Sequence, residues 1–325
     1  MDKKNISVSI VIPNYNGRNL LIETIESAKN ALKTSQIKDY EIIVSDDAST
    51  DDSLKIISKT FLDIKIIQHD TNTGFAGNIN RGIKSATKEL VLLLNSDVHL
   101  SKNYFVSQID YFENDQTFGV MGLIKDKQTN ENQDGAKYPE VHFFNIKSNR
   151  NIYKNKTIPT LFLSGANALI RREYLVKAGG FCELFNPYYA EDVELGIRAW
   201  RMGWDLYFEP RAICFHDQSS TIKKIPNNRV RMVAKRNKYI LHALHLPKWL
   251  FCIYTVTISF NAFFLLAFGK KTHFASLVLY YKSIPKIFNE RKKLFSFVQP
   301  KFTLFQVARK IKKMLTESIN TPPVN

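Results

Sequence analysis

The sequence predicts an α/β fold with a mainly parallel sheet flanked by helices, and three observations support that prediction. Short apolar, β-branched runs alternate with helical patterns over the first 100 residues, as in βαβ units. The 325 residues are 44% apolar, which is enough for one large domain with a substantial core. Basic residues are concentrated in the last third of the chain, so a helical accessory segment is expected after the sheet.

The first strands are expected at residues 8–12, 41–45, 64–68 and 90–94, and helices are expected to start near residues 20, 53 and 77. Residues 191–202 predict an amphipathic helix, because Val193, Ile197 and Trp200 share one face and Gly203 follows at the C-cap position. Two short strands are expected at 206–208 and 212–215, the second ending at His216. Residues 125–158 are polar and irregular, which predicts a mobile loop, a hairpin near the site or a tolerated insertion.

Charge divides the chain near residue 217. Residues 218–325 contain 20 Lys or Arg against Glu290 and Glu317, a net charge of +18, whereas residues 1–217 have a net charge of −2. We therefore expect one folded domain over 1–217 and a basic, helical C-terminal region over 218–325.

The cysteines and the N-terminus indicate a reducing compartment. Three widely spaced cysteines, Cys182, Cys214 and Cys252, argue against a disulfide framework and against a zinc site built from C-x-x-C pairs. The apolar stretch 6–12 is too short for a secretory signal and is predicted to be the first strand.

Asn95-Ser96-Asp97 directly follows the apolar run 90–94, at the strand end where α/β sheets bind ligands. Residues two apart lie on one side, so Asn95 and Asp97 can offer oxygen ligands to a hard cation. The alternative is a simple turn, which these residue types often form.

Other polar segments occur at comparable places: 13–17 (Pro-Asn-Tyr-Asn-Gly), 46–51, 72–82, Glu191-Asp192 and His216-Asp217. In their order and spacing they resemble the family 2 glycosyltransferases, inverting enzymes of the GT-A fold, over about residues 6–217. The bacterial rhamnosyltransferase-like members are most similar, since their glycine segment also contains N-x-G-F-A-G and their metal motif is often N-x-D.

The resemblance implies roles for individual residues. Asp97 and His216 would bind a divalent metal, Mn²⁺ or Mg²⁺, with Asn95 as a weak ligand or positioning contact. Asp192 would be the catalytic base, next to Glu191. Asp46 would contact the nucleobase and ribose, and the nucleotide sugar would meet Pro13, Tyr15, Asn16, Asp46, Gly74, Asn80, Ser96, Gly165 and Ala166. The chain departs from the family at Ile79, where Arg is frequent, and at Cys182, where Asp is frequent.

Chemistry supports these roles independently. A divalent ion would neutralise a departing diphosphate, and an imidazole ligand suits Mn²⁺ better than Mg²⁺. Glu191 and Asp192 begin a predicted helix, whose dipole is expected to keep them ionised at neutral pH.

The uncharged run 249–268 has 20 residues, just enough to cross a bilayer of about 30 Å. A single crossing would place the basic residues 269–325 opposite the catalytic domain, against the positive-inside rule. We therefore expect a re-entrant or in-plane helix, aided by the amphipathic stretch 302–315. A buried core helix and an oligomer interface are the alternatives.

The expected function is metal-dependent, inverting transfer of a sugar, with rhamnose from dTDP-rhamnose as first choice, to a lipid-linked or growing cell-surface glycan. The expected location is the cytoplasmic face of the cell membrane, with an anionic membrane surface as partner, no nucleic acid, and oligomerisation possible. Alternatives are transfer of another hexose or N-acetylhexosamine from a UDP-sugar, and a non-enzymatic basic protein that binds membrane or nucleic acid. A sugar-nucleotide pyrophosphorylase is a further alternative, but its glycine- and arginine-rich N-terminal loop is missing.

Overall fold

The computed structural model describes residues 6–142, 145–151, 156–217, 226–294, 296 and 299–320. Strands and helices alternate in its first part as predicted: β1 (Ser7–Asn14), α1 (Arg18–Thr34), β2 (Asp39–Asp46), α2 (Ser53–Thr60), β3 (Lys65–Gln68), α3 (Gly74–Ser85) and β4 (Leu90–Leu94). Helix α3 begins at Gly74 rather than near residue 77. The Asp47 carboxylate, which lies just after β2, accepts hydrogen bonds from the backbone N–H groups of Thr73 and Gly74 at 2.8 and 2.9 Å and so satisfies the first turn.

The second part adds strands and helices around the polar segments: β5 (Val98–Leu100), β6 (Thr117–Asp126), β7 (Asn132–Asp134), β8 (Ala136–His142), β9 (Asn145–Asn151), β10 (Ile158–Pro159), β11 (Asn167–Arg171), α4 (Arg172–Lys177), α5 (Glu191–Met202) and β12 (Asp205–His216). Short 3-10 helices cover Ile109–Glu113 and Glu183–Phe185. The polar stretch 125–158 therefore contains a hairpin, β8–β9, preceded by β7.

The prediction of two strands at 206–208 and 212–215 is wrong, because β12 is continuous. Its register against β6 shifts between Glu209 and Ile213, around Pro210. Proline has no N–H to contribute to a ladder, so the irregularity lies where the sequence suggested a break.

The main sheet has the order β10-β12-β6-β11-β4-β1-β2-β3. β1, β2, β3 and β4 are parallel neighbours, β12 is parallel to β6, and β11 runs antiparallel between β6 and β4. The carboxyl ends of β1, β2, β4, β6 and β12 therefore lie along one edge, as an α/β ligand site requires. The predicted fold class is confirmed.

Two apolar clusters fill the two faces of the sheet. The C-terminal helices α6 (Asn227–His245), α7 (Lys248–Ala267), α8 (Lys271–Leu294) and α9 (Leu304–Asn320) contribute to one of them through buried residues such as Ile240, Ile287 and Ile311. Residues 218–225, where the predicted C-terminal region begins, lie outside the described residues. The division of the chain near residue 217 stays a prediction.

Helix α7 is long and apolar enough to cross a bilayer, judged by length and composition, with a mean hydropathy of 1.9 and only 22% of its most apolar window buried. Side chains such as Val256, Phe260 and Phe264 are exposed. The alternative of a buried core helix is therefore wrong for residues 249–268.

Candidate functional site

Polar residues end several parallel strands at one edge of the sheet. Asn14 at the end of β1 lies opposite Asp46 at the end of β2. Asn95 follows β4, which is the other neighbour of β1. His216 ends β12 and pairs with Val98 of β5, immediately after Asp97. The sheet thus brings together four of the sequence-predicted segments, 13–17, 46–51, 95–97 and 216–217.

Asp46 organises the turn that follows β2. One carboxylate oxygen accepts hydrogen bonds from Asn14 Nδ2 at 2.7 Å and Ser49 Oγ at 2.6 Å, and the other accepts from the Ser49 backbone N–H at 2.9 Å. The Asp46 side chain is fully buried. Its contact with a nucleobase stays a prediction, and the contacts present in the structure are internal.

The neighbouring carboxylate, Asp47, joins β2 to the glycine segment. Besides the two backbone groups that it caps, it accepts a hydrogen bond from Thr73 Oγ1 at 3.0 Å. Gly74 has a φ of +76°, and a Cβ there would lie 3.1 Å from Asn186 Oδ1. Glycine is needed at this position for its left-handed conformation, and Asp47 is a site residue that the sequence did not single out.

Asn80 links α3 to the chain before α5. Its Nδ2 donates to the Phe181 carbonyl at 2.8 Å, and its Oδ1 accepts from the Phe181 N–H at 2.8 Å. Both the N–H₂ group and the oxygen of the Asn80 amide therefore form hydrogen bonds within the protein. Ile79 is fully buried, which explains why an apolar residue suits that position.

The loop after β1 presents the accessible part of the edge. Pro13 is buried in β1, whereas the Tyr15 ring is 45% exposed. Asn16, also exposed, has a φ of 54° and accepts a hydrogen bond from the Thr50 N–H at 2.8 Å. A Cβ on Gly17 would lie 3.4 Å from Ser96 Oγ, so the loops after β1 and β4 adjoin.

Asp97 and His216 face each other at the end of β12. Asp97 Oδ2 lies 3.3 Å from His216 Nε2, and the Asp217 N–H donates to the Asp97 carbonyl at 3.0 Å. The Asp97 side chain is buried, and its hydrogen bond raises the pKa of His216. The structure thus pairs the two predicted metal ligands.

Gln133 on β7 orients this imidazole. His216 Nδ1 lies 2.8 Å from Gln133 Oε1, an acceptor, so Nδ1 carries the donated hydrogen. Gln133 also donates to Asp126 at 2.5 Å. Gln133 has no local signal in the sequence, because it lies in the polar stretch 125–158 and its partner, His216, is distant in the chain.

Asn95 and the turn 164–167 adjoin the pair. The Asn95 N–H donates to the Ala166 carbonyl at 3.1 Å. Asn95 Oδ1 is buried and has no hydrogen-bond partner among the described residues. A Cβ on Gly165 would lie 3.1 Å from the Phe75 ring, so this turn packs against the glycine segment. Gly165 and Asp192 also line one small cavity.

Glu191 and Asp192 begin α5, and the expectation that both are ionised at neutral pH is wrong for Glu191 and holds for Asp192. Burial raises the pKa of Asp192 to about 6. Burial, together with the adjacent Asp192 charge, raises the pKa of Glu191 to about 8. Asp192 Oδ1 accepts from the Val193 N–H at 2.7 Å, whereas Glu191 Oε2 is buried without a hydrogen-bond partner in the described part of the chain. Desolvation therefore outweighs the dipole, and Asp192 is the better base near neutral pH.

A cavity of about 520 Å³ lies between α3, the 179–183 segment and α8. Cys182 and Asn80 line it, and none of Asp97, His216 or Asp192 does. It is separate from the strand-end site.

Comparison with known proteins supports the motif-based prediction. Residues 9–179, more than half of the chain, match the family model described as Glycosyl transferase family 2. A poly(ribitol-phosphate) beta-glucosyltransferase of Bacillus spizizenii is 33% identical over 37% of this chain and 19% of its own length. The chondroitin synthase of Escherichia coli is 27% identical over 65% of this chain and 34% of its own length. The chain thus spans about a third or less of these two relatives.

Among solved structures, GalNAc-T7 with UDP, GalNAc and Mn²⁺ superposes with a TM-score of 0.56 at 17% identity, covering 75% of this chain and 52% of that one. This likeness supports the GT-A fold. The family match favours the glycosyltransferase prediction over the pyrophosphorylase and non-enzymatic alternatives. The motifs, the sheet and the comparisons agree that the chain belongs to glycosyltransferase family 2.

Proposed function

We propose that this enzyme moves a sugar, with inversion, from a nucleoside diphosphate sugar to a hydroxyl group of a cell-surface glycan, using a divalent metal held by Asp97 and His216. The observation that carries the proposal is the contact between Asp97 Oδ2 and His216 Nε2, 3.3 Å long, at the carboxyl edge of the sheet. If Asp97 and His216 only stabilised the local turn, the tautomer of the imidazole would not need to be fixed by a third side chain, that of Gln133.

The residues fit such an ion. Adjacent ligands of an octahedral ion with bonds of about 2.1 Å lie about 3 Å apart, close to the separation of the Asp97 and His216 atoms. Because His216 Nδ1 donates to Gln133, a cation can replace the proton between Nε2 and Asp97. No group of three His, Cys, Asp or Glu forms a metal site within the described ranges. Asn95 Oδ1 and the diphosphate would complete the ligand set, and when bound, the ion would stabilise the charge of the leaving diphosphate.

Imidazole is a softer ligand than carboxylate oxygen. We therefore propose Mn²⁺ ahead of Mg²⁺ as the preferred ion.

Asp192 serves as the base in this proposal. Its carboxylate takes the proton of the acceptor hydroxyl while that oxygen forms a bond to the anomeric carbon and the bond from that carbon to the diphosphate oxygen breaks. With a pKa of about 6, Asp192 is ionised at neutral pH yet basic enough to accept the proton. Glu191, with a pKa of about 8, stays protonated and limits the negative charge at the site.

The exposed Tyr15 and the 46–51 turn offer a surface for the nucleoside, and the 164–166 turn offers one for the sugar. Rhamnose from dTDP-rhamnose is the donor suggested by the motif resemblance. The relatives' names instead favour a glucosyl or N-acetylhexosaminyl donor, since they include a poly(ribitol-phosphate) beta-glucosyltransferase and a poly(ribitol-phosphate) beta-N-acetylglucosaminyltransferase. We propose a pyrimidine-linked sugar, with glucose or an N-acetylhexosamine tested ahead of rhamnose.

We further propose that the enzyme works at the cytoplasmic face of the membrane, with α7 lying in the interface. Its exposed apolar side chains include Trp249, Val256, Phe260, Phe263, Phe264 and Phe268. Phe251 contacts Phe288 and Phe263 contacts Phe274, so α7 packs antiparallel on α8. Lys282 and Lys286 favour the cytoplasmic side for α8, so a membrane crossing by α7 would separate the two helices. An in-plane helix keeps this packing.

The test is a panel of dTDP- and UDP-sugars incubated with the purified full chain and Mn²⁺ or Mg²⁺. The proposal predicts metal-dependent sugar release, or a thermal shift, with at least one of them. Asp63→Asn, a substitution on the exposed ion pair with Lys29, serves as the matched control for Asp97→Asn. An absence of response to every pyrimidine nucleotide sugar, with or without metal, would overturn the proposal.

A further inference from the structure

A cleft of about 730 Å³ opens between the first half of α6 and the turn from α7 into α8. Gly269, with a φ of 75°, makes this turn. None of the described residues that line the cleft is Asp or Glu. Its basic side chains come from two helices and the turn: Arg231, Lys235, Lys238, Lys270, Lys271 and His273.

The five Lys and Arg side chains share one cleft, and no Asp or Glu lies among its described lining residues. Lys235 Nζ donates a hydrogen bond to the ring of His273 at 2.9 Å; Lys235 is half-buried, and Lys238 is exposed. Desolvation, and then the charge of Lys238, lower the pKa of Lys235. Residues 218–325 contain only Glu290 and Glu317 as acids. An anion in the cleft would offset the charge of these side chains, above all that of the half-buried Lys235.

The apolar surface next to the cleft identifies the kind of anion. Phe264 and Phe268, at the end of α7, are 55% and 66% exposed. They precede Gly269 and Lys270, which line the cleft. A ligand that occupies both surfaces has a phosphate group and an apolar body side by side, which is the chemistry of a phospholipid.

We propose that this cleft binds the phosphate-bearing headgroup of an anionic phospholipid in the bilayer that α7 contacts. The proposal rests on the membrane-surface location proposed above. It adds a defined headgroup site to what would otherwise be diffuse attraction between a basic region and the membrane.

The test is co-sedimentation of the full chain with vesicles of phosphatidylcholine alone or with roughly 30% phosphatidylglycerol. The cleft variant is Lys235→Gln/Lys238→Gln/Lys270→Gln. The matched control, Lys55→Gln/Lys59→Gln/Lys102→Gln, removes the same charge from exposed positions on the sheet-forming part. A third variant, Phe260→Ser/Phe264→Ser, tests the apolar face.

The cleft variant should lose about tenfold or more of its affinity for the phosphatidylglycerol vesicles, with the control variant near the parent protein. An equal loss of vesicle affinity in the cleft variant and the control variant would overturn the site, since it would mean that the membrane attracts the basic residues without a defined headgroup site. Displacement of the parent protein from vesicles by millimolar inorganic phosphate would also overturn it, because the cleft would then be a free-phosphate site. Sugar release without vesicles, measured on all variants, tests the proposed enzymatic function separately.

A second, independent observation concerns the loop before α5. Tyr189 and Ala190 have φ values of 74° and 76°, a left-handed conformation that is unfavourable for two consecutive non-glycine residues. Asn237 of α6 is fully buried, and its Nδ2 lies 2.6, 2.8 and 2.8 Å from the carbonyls of Phe185, Tyr188 and Tyr189.

Asn237 is itself held in place. Its Oδ1 accepts from Arg236 Nε at 2.8 Å, and Arg236 Nη2 donates to the Asn186 carbonyl at 2.6 Å. The Ala190 carbonyl accepts the first helical hydrogen bond of α5, from Glu194 at 2.9 Å. The direction in which α5 presents Asp192 therefore depends on the strained loop that Asn237 secures. We infer that Asn237 is a positioning residue for the proposed base.

Asn237→Asp keeps the shape but removes the donor, and Ala190→Gly relieves the left-handed strain. Asn237→Asp should lower kcat about tenfold or more with little change in donor KM, and adding Ala190→Gly should restore part of kcat. A kcat that follows only the fraction of folded protein, with no rescue by Ala190→Gly, would overturn the inference. Robust turnover by Asp192→Asn would instead refute the base itself, so the two failures are distinguishable.

Discussion

Asp97 Oδ2 and His216 Nε2 are 3.3 Å apart although 119 positions separate them in the chain. The sheet produces this contact, because β12 pairs with β5 so that His216 lies opposite Val98. Gln133 then fixes the imidazole from the other side. A carboxylate, an imidazole and an orienting amide at a parallel-strand edge are the features that the proposed metal chemistry requires.

Removing the orienting amide should weaken metal binding without removing a ligand. We expect Gln133→Ala to lower Mn²⁺ affinity about 10- to 100-fold, as loss of such supporting hydrogen bonds does. Gln128→Ala, on an exposed side chain of the turn between β6 and β7, is the control. The measurement is a Mn²⁺ titration followed by electron paramagnetic resonance with UDP present. Equal affinity in both variants would mean that Gln133 does not support a metal ligand.

The two carboxylates of α5 should differ in their kinetic effect. Asp192→Asn removes the proposed base and should lower kcat about 10²- to 10⁴-fold, with donor binding little changed. Glu191→Gln should cost much less, because burial raises the pKa of Glu191 to about 8 and keeps it protonated at neutral pH. Steady-state kinetics and nucleotide binding by calorimetry check both. A larger loss of kcat in Glu191→Gln than in Asp192→Asn would mean that Glu191 is the base.

Activity should depend on pH through the same base. Because burial raises the pKa of Asp192 to about 6, its carboxylate becomes protonated as the pH falls through that value. We expect kcat to decrease below about pH 6 and to level off above it. The measurement is kcat against pH at saturating donor and metal. A profile that keeps full kcat well below pH 5 would contradict the assignment.

The raised pKa of Glu191 also predicts a stability effect. An acid whose pKa is higher in the folded state favours folding at low pH, and that contribution is lost as the pH rises through the folded value, about 8. Glu191→Gln should therefore raise Tm at about pH 9 relative to the parent protein and change it little at about pH 5. Thermal unfolding at the two pH values checks this. A Tm difference independent of pH would show that Glu191 titrates normally.

A buried ion cluster joins α5 to α6 and should dominate local stability. Glu194 and Arg198 are buried and paired, and His245 Nε2 lies 3.2 Å from Glu194 Oε1. Arg198 first, then His245, outweigh desolvation and lower the pKa of Glu194 to about 2. Glu194→Ala leaves an uncompensated buried cation and should reduce the free energy of unfolding by about 3–5 kcal/mol. Urea unfolding measures it, with Glu173→Ala of the exposed pair with Lys177 as control.

Much of the sheet could be predicted, because buried parallel strands are continuous apolar runs such as Leu90–Leu94. The polar strand ends could be predicted for the same reason, as each directly follows such a run. The contacts made by those polar groups could not. The Asp46 carboxylate accepts hydrogen bonds from Asn14 and Ser49, and the Asn80 amide donates one to the Phe181 carbonyl. These contacts exist only in the folded protein.

The pKa shifts of the two α5 carboxylates could not be predicted for a related reason. A helix start suggests stabilised carboxylates, but the burial that raises the pKa values of Glu191 and Asp192 comes from tertiary packing around α5. Gln133 and Asn237 lacked a local signal as well. Each acts on a residue more than 45 positions away, His216 and Tyr189 respectively.

The most direct test of the central proposal is the rate of sugar release from the best donor as Mn²⁺ is titrated into chelator-treated protein. We predict negligible release without metal, saturable recovery in the parent protein and in Asp63→Asn, and loss of about 100-fold or more in Asp97→Asn at the same Mn²⁺ concentration. Full activity of the chelator-treated protein, or an unchanged Mn²⁺ dependence in Asp97→Asn, would contradict a metal site at Asp97 and His216.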